Sequence, residues 1–193
     1  MAYVGRNSLV LTSVAALALS LSLFASPPAD AYALTGCKFN GTDPVVTYVF
    51  TGLVSTSRRS ATLDGAAAWN ATTVPSTFRA WRSGDPLRLT VDEASYTDTF
   101  EARIVGTCPT GVWVGNAVQM DWNTPSSGGL GGNAYALEGI AVHELGHALG
   151  LGHTSGTTCA GTASVMRTGM PFWACSWGTW PFYDDRQGVR AIY

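Results

Sequence analysis

The chain holds three histidines, and all of them fall in one run of eleven residues, His143-Glu-Leu-Gly-His147-Ala-Leu-Gly150-Leu-Gly-His153. Helical geometry limits how such a run can fold. At about 100° per residue, His143 and His147 lie roughly 40° apart on one face, a single turn apart, and Glu144 stands about 60° around from His147. His153 does not fit that face. If the helix continued, His153 would lie roughly 240° around the axis from His147 and point away from it. For the three imidazoles to meet, the helix must stop and turn. Gly150 sits where a glycine can adopt the positive φ that ends helices.

Imidazole is the commonest protein ligand for zinc, and a catalytic zinc takes three protein ligands and leaves its fourth position to water. His143, His147 and His153 supply that number, which predicts one zinc ion. Glu144 is close enough to reach a water at the metal without ligating it, the position of a general base. Residues 139–149 are apolar nearly all round, as in a helix buried on several sides, so the ionisable residues there need a reason to be present. The plainer reading makes them hydrogen-bonded core histidines or a metal tract without catalysis. It leaves the spacing of ligands, carboxylate and turn glycine to chance.

A length of 193 residues suits one domain of ordinary size, and 46% hydrophobic with 12% charged residues suits a globular core. The net charge is −2, and Arg58-Arg59 is the densest basic cluster, so no nucleic-acid partner is expected. The N-terminus reads as a secretory signal over residues 1–33: Arg6 gives positive charge, Leu9 to Ala25 is apolar, and Ala31-Tyr32-Ala33 offers a cleavage site. A domain of residues 34–193 would follow, secreted and extracellular. Ser13, Ser20 and Ser22 interrupt the apolar stretch, which is short for a membrane span, so no stable membrane association is expected. Leu34-Thr35-Gly36-Cys37 looks like a bacterial lipobox, but Ser26 to Asp30 separates it from the apolar region. Four cysteines in a secreted chain favour two disulfides, with Cys37–Cys108 and Cys159–Cys175 preferred among three connectivities. No C-x-x-C pair offers a thiolate metal site.

Further along, residues 44–50 are β-branched and aromatic and read as a strand. Residues 56–70 carry Ala61, Leu63, Ala66, Ala67 and Trp69 among polar residues, a helix on a sheet despite Gly65, and Val74-Pro75 lies beyond its end. Strands are expected over residues 86–91, 102–105 and 111–122. Residues 123–133 form a Gly/Ser/Pro loop, and their Gly-Gly-Leu-Gly-Gly core lacks the Lys and Ser/Thr of a phosphate loop.

The run from His143 to His153 resembles the metzincin metallopeptidases, matching H-E-x-x-H-x-x-G-x-x-H at every defined position. Ser164-Val-Met166 is similar to the Met-turn of that group, a tight turn whose methionine lies beneath the zinc. Within the group the chain most resembles a minimal matrixin catalytic domain. Ala67-Ala-Trp69, Thr72-Thr-Val-Pro75 and Phe78 are similar to its first helix and following strand, and residues 183–193 to its closing helix. The resemblance implies an α+β metzincin fold: a twisted five-stranded mixed sheet, three helices and a zinc cleft. It also implies a zinc-dependent endopeptidase that hydrolyses extended peptide or protein substrates through a zinc-activated water, with Glu144 as general base. A monomer is expected. Residues 111–122 are the candidate edge strand for substrate, and Phe172, Trp173, Trp177 and Trp180 either line the pocket beyond the cleaved bond or pack the C-terminal core.

The departures are informative. No histidine remains for the second zinc usual in matrixins, and Thr168 stands where some metzincins carry a ligating tyrosine. No propeptide with a cysteine switch is evident. Calcium is usual in the family, but its ligands are not assignable; Asp43, Asp121 and Asp184 are candidates, read as exposed acids. The alternatives are a catalytically silent zinc-containing binding module and a zinc hydrolase of non-peptide amides.

Overall fold

The computed structural model describes residues 32–114, 118–124, 133–154, 164–167 and 178–193. All lie in one compact unit, Ala31–Tyr193. The first long strand is β2 (Val45–Phe50), after the two-residue β1 (Ala33–Leu34). Helix α1 (Thr56–Asn70), β3 (Thr77–Ala80), β4 (Leu89–Ala94), β5 (Ala102–Val105) and β6 (Val118–Asn123) follow. Helix α2 (Ala134–Ala148), the short β7 (Leu151–Gly152) and α3 (Tyr183–Ile192) complete the described elements. The main sheet has the order β3-β2-β4-β6-β5. Its pairings are parallel except for β5, which runs antiparallel to β6 at one edge. Five mixed strands and three described helices make the α+β metzincin fold that the resemblance implies.

Parallel strands must be covered by helices, and the inward residues here are apolar. Val46, Leu89, Val91, Val118, Met120 and Trp122 are fully buried in one core with the inner faces of α1 and α2. Two tryptophans also tie layers together by hydrogen bonds. Trp69 Nε1 on α1 donates to the Val142 carbonyl of α2 at 2.9 Å, and Trp122 Nε1 on β6 donates to Thr62 Oγ1 on α1 at 3.3 Å. Gly65, which counts against a helix by propensity, has a packing reason: a Cβ there would stand 2.9 Å from Cβ of Ala141, so only glycine lets α1 and α2 cross this closely. The buried Arg58–Glu93 ion pair, 2.7 Å, anchors the start of α1 to β4. No described helix is long and apolar enough to cross a membrane.

Three expectations shift. The strand expected over residues 111–122 begins at Val118; Val112 instead makes an isolated bridge to Lys38. That strand is interior, lying between β4 and β5, so it cannot offer a free edge to substrate. Alternation alone does not reveal which strand ends a sheet, because edge and interior strands share the same period. The strand expected over residues 86–91 starts at Leu89 and runs on to Ala94. Asn123 ends β6 instead of opening a loop; its side chain donates to the carbonyls of Asp98 and Phe100.

The small two-stranded sheet went unread in the sequence. β1 pairs antiparallel with β7, Ala33 opposite Gly152 and Leu34 opposite Leu151. β1 begins at Ala33, the last residue of the segment read as a signal. The Cys37–Cys108 disulfide forms as expected. Cys159 and Cys175 lie outside the described residues, as do Phe172, Trp173, Trp177 and Thr168.

Candidate metal centre and catalytic site

Helix α2 starts at Asn133, whose side chain accepts from the N–H groups of Tyr135 and Ala136 and so caps the first turn. From Gly139 to Gly146 every residue is buried. Two of its histidines are locked by carbonyls from outside the helix. His143 Nδ1–H donates to the Val165 carbonyl at 2.6 Å, and His147 Nδ1–H donates to the Leu151 carbonyl at 2.7 Å. A carbonyl can only accept, so both rings carry their proton on Nδ1 and present a bare Nε2.

Those Nε2 atoms converge with that of His153. The separations are 3.1 Å for His143–His147, 3.2 Å for His143–His153 and 2.9 Å for His147–His153. Two facing lone pairs cannot hydrogen-bond each other, so short approaches of this kind call for a cation between the rings. Bonds of about 2.0–2.1 Å at tetrahedral angles place ligand nitrogens roughly 3.3 Å apart, close to this triangle. The donor set therefore fits zinc. Among the described residues these histidines are the one group of three or more metal-capable side chains brought together.

The electrostatics favour the same state. Burial lowers His143 to about 3, helped by His147, and lowers His147 to about 4. Burial also lowers His153. Neutral imidazoles are the ligating form. Glu144 is driven the other way: burial pushes its carboxyl well above the usual range, the N–H of Ile104 lies against it and partly offsets that, and nearby Glu101 adds to the rise. Its Oε2 is buried without a hydrogen-bond partner. A carboxylate held beside three metal-ready imidazoles with an oxygen unspent is equipped to take a proton.

Under the helix lies the turn at Met166, itself 1% exposed. A Cβ on Gly146 would come within 2.5 Å of Met166 Sδ, so the glycine between Leu145 and His147 is what admits the methionine. Asp185, in the first turn of α3, holds this turn. Its carboxylate accepts from Ser164 Oγ at 2.6 Å, Val165 N at 3.0 Å and Phe182 N at 2.8 Å. Because the Val165 carbonyl orients His143, Asp185 supports that ring at one remove. The sequence placed Asp185 only within a closing helix. An acid in the first turn of a C-terminal helix was the available signal.

Gly150 has φ 106°, the left-handed conformation expected of the helix-ending glycine. Beyond it, β7 leads to His153, which is solvent-exposed, and Thr154 N donates to the Met166 carbonyl at 2.8 Å. A cleft of about 570 Å³ opens over the histidines and Glu144, bordered by Phe100 to Ile104 and by Trp113. Strand β5, not the expected residues 111–122, is the edge strand beside it. Asn123 N donates to the Glu101 carbonyl, so in the antiparallel alternation Glu101, Arg103 and Val105 bond to β6. Ala102 and Ile104 turn their main-chain groups to the open edge.

The calcium candidates do not assemble. Asp121 and Asp184 are buried, at 3% and 5% exposure, whereas Asp43 is exposed. Asp121 accepts from Arg103 Nε at 3.2 Å and Gln119 Nε2 at 2.6 Å. Both it and Asp184 were misread as exposed acids, because sequence does not show which acids a fold encloses. Trp180 is 44% exposed, so it does not pack the C-terminal core.

A mixed sheet whose single antiparallel strand borders a tri-histidine centre, with a carboxylate alongside, defines the α+β class of zinc metallopeptidases called metzincins. The chain belongs to the matrixin family: the matrixin model of the zinc peptidases matches residues 33–193. It is 39% identical over 77 residues to Matrix metalloproteinase-25 of Mus musculus, covering 38% of this chain, and 40% identical over 76 residues to that of Homo sapiens, covering 37%. These alignments span only 11% and 12% of the two relatives. Among solved structures, a GM1-bound form of the ECX AB5 holotoxin aligns with TM-score 0.51 and 14% identity over 84% of this chain and 88% of that one, a likeness of fold alone.

Proposed function

We propose that this chain is a secreted zinc-dependent endopeptidase in which His143, His147 and His153 hold the metal and Glu144 is the general base. The observation that carries the reading is the convergence of three Nε2 atoms within 3.2 Å beside the unpartnered Glu144 oxygen. Zinc held there by His143, His147 and His153 would supply a Lewis acid and make a water more acidic. Glu144 would take a proton from water and deliver it to the leaving amine. Its buried setting, which raises its proton affinity, suits the first half of that task.

An extended peptide pairs with the open edge of β5 through the main-chain groups of Ala102 and the Ile104 carbonyl, the Ile104 N–H being turned to Glu144, as in strand addition. That pairing would run antiparallel to β5 across the cleft and bring one peptide bond over the histidines. Secretion agrees with the N-terminal apolar stretch and with the disulfide, which belongs in an oxidising compartment. The test is incubation of zinc-loaded protein with a diverse peptide library, with and without chelator. Chelator-sensitive cleavage is expected. Complete absence of cleavage by zinc-loaded, folded protein would overturn the reading and favour a silent binding module.

A further inference from the structure

His147 and His143 are positioned by a helix and by carbonyls buried behind it, but His153 follows a turn that the helix does not control. What holds that turn is a short strap, Ala33 to Phe39, laid across it. Leu34 and Ala33 pair with Leu151 and Gly152. Thr35 N donates to the Gly150 carbonyl at 2.9 Å and Thr35 Oγ1 donates to the same oxygen at 3.2 Å. The Cys37 carbonyl packs so tightly on Gly150 that a Cβ there would collide with it. The Leu151 carbonyl, which orients His147, lies inside the same pairing.

The strap is in turn tied to the loop before β6. The disulfide joins Cys37 to Cys108, Lys38 N donates to the Gly111 carbonyl at 3.0 Å, and Trp113 N donates to the Lys38 carbonyl at 2.8 Å. Trp113 closes the circuit: its Nε1 donates to the Ala148 carbonyl at 2.9 Å, on the last turn of the zinc helix. Hydrogen bonds near a chain end fray readily, and a covalent link does not.

We infer that the Cys37–Cys108 disulfide is a positioning element for the zinc site: it keeps the strap in register on Gly150 to Gly152 and thereby holds His153 and the His147 partner carbonyl in ligating position. The inference rests on the ligand assignment proposed above. Removing the disulfide would leave the helix and its two histidines in place but let the third ligand wander, so metal affinity would fall beyond any loss of overall stability. Partners of metal ligands typically matter by 10–100-fold in affinity, and this one acts through a backbone segment.

The test is zinc affinity by chelator competition in the double variant Cys37→Ser/Cys108→Ser, with serine used because free thiolates would themselves bind zinc. The expected result is a Kd on the order of tenfold weaker. Val46→Ala, a cavity in the buried middle of the sheet, is the control for destabilisation alone and should leave the Kd unchanged. A double variant that melts lower but binds zinc as tightly as the parent would overturn the inference and show the disulfide to be structural only. If the double variant does not fold, Thr35→Val decides. It keeps the disulfide and removes one of the two hydrogen bonds on the Gly150 carbonyl, with a Kd about fivefold weaker expected and an unchanged Kd counting against the strap. His153→Ala separates the two layers of the argument: tight zinc binding by that variant would sink the ligand assignment itself, whereas loss of zinc there with no effect of the disulfide would sink only this inference.

Discussion

The tri-histidine centre is built from two halves held by different means. His143, Glu144 and His147 belong to a helix buried along most of its length, and their relative positions follow from helical geometry. His153 is exposed and follows a buried turn whose place is set by residues far away in the chain, those of the strap and of the Met166 turn. The helical half is local and rigid. The other half is assembled by long-range contacts, so it should be the half that yields first when the protein is perturbed.

The sharpest break should come in the helical half, at its chemistry and not its metal. Glu144→Ala is expected to lower kcat/KM by about a thousandfold while zinc stoichiometry stays the same, within the usual range for loss of a general base. Undiminished turnover would remove Glu144 from the mechanism. Next in size is Asp185→Ala, which strips three hydrogen bonds from the Met166 turn and α3. A loss of about 2 kcal/mol or more in denaturant unfolding is expected. Since Val165 also orients His143, weaker zinc binding should accompany it, and an unaltered unfolding midpoint would contradict the anchoring role.

A smaller effect tests the turn directly. Gly150→Ala forces a left-handed residue that costs about 1–2 kcal/mol, and it also sets a methyl against the Cys37 carbonyl. Hydrogen exchange should quicken at Leu151 and Gly152 before it does within α2. Equal acceleration in both would erase the contrast between the halves.

The mildest probe is pH. In the metal-free folded chain burial keeps His143 neutral down to about 3 and His147 to about 4, while both would titrate near 6.5 when unfolded. Between those values the unfolded chain binds more protons, so stability falls as pH drops through 6.5 and levels off only below the folded values. Relative to a His147→Ala variant, which keeps the opposing contribution of the raised Glu144 and Asp184 carboxyls, the thermal midpoint of the metal-free protein should decline from about pH 7 to about pH 5. A flat profile would mean that these rings are more hydrated than the packing implies.

The two halves also differ in how far they could be read in advance. Helix, ligand spacing, turn glycine and Met166 were legible because each is a local pattern: a period, a φ preference, a short motif. Gly65 counted against its helix and Gly146 carried no signal, and their reasons, Ala141 across the helix crossing and Met166 beneath the site, lie far off in sequence. The edge strand was misassigned for the same reason. Residues 102–105 and 118–123 both alternate, and only the pairing order exposes β5 to the cleft.

By itself the sequence determined which three imidazoles come together and that a turn must bring the third one round, because spacing and the conformational freedom of glycine act over a few residues. The tertiary structure alone decided what keeps that turn in place, which strand borders the cleft and which acids are enclosed. Those depend on contacts between segments distant in the chain, which local patterns do not encode.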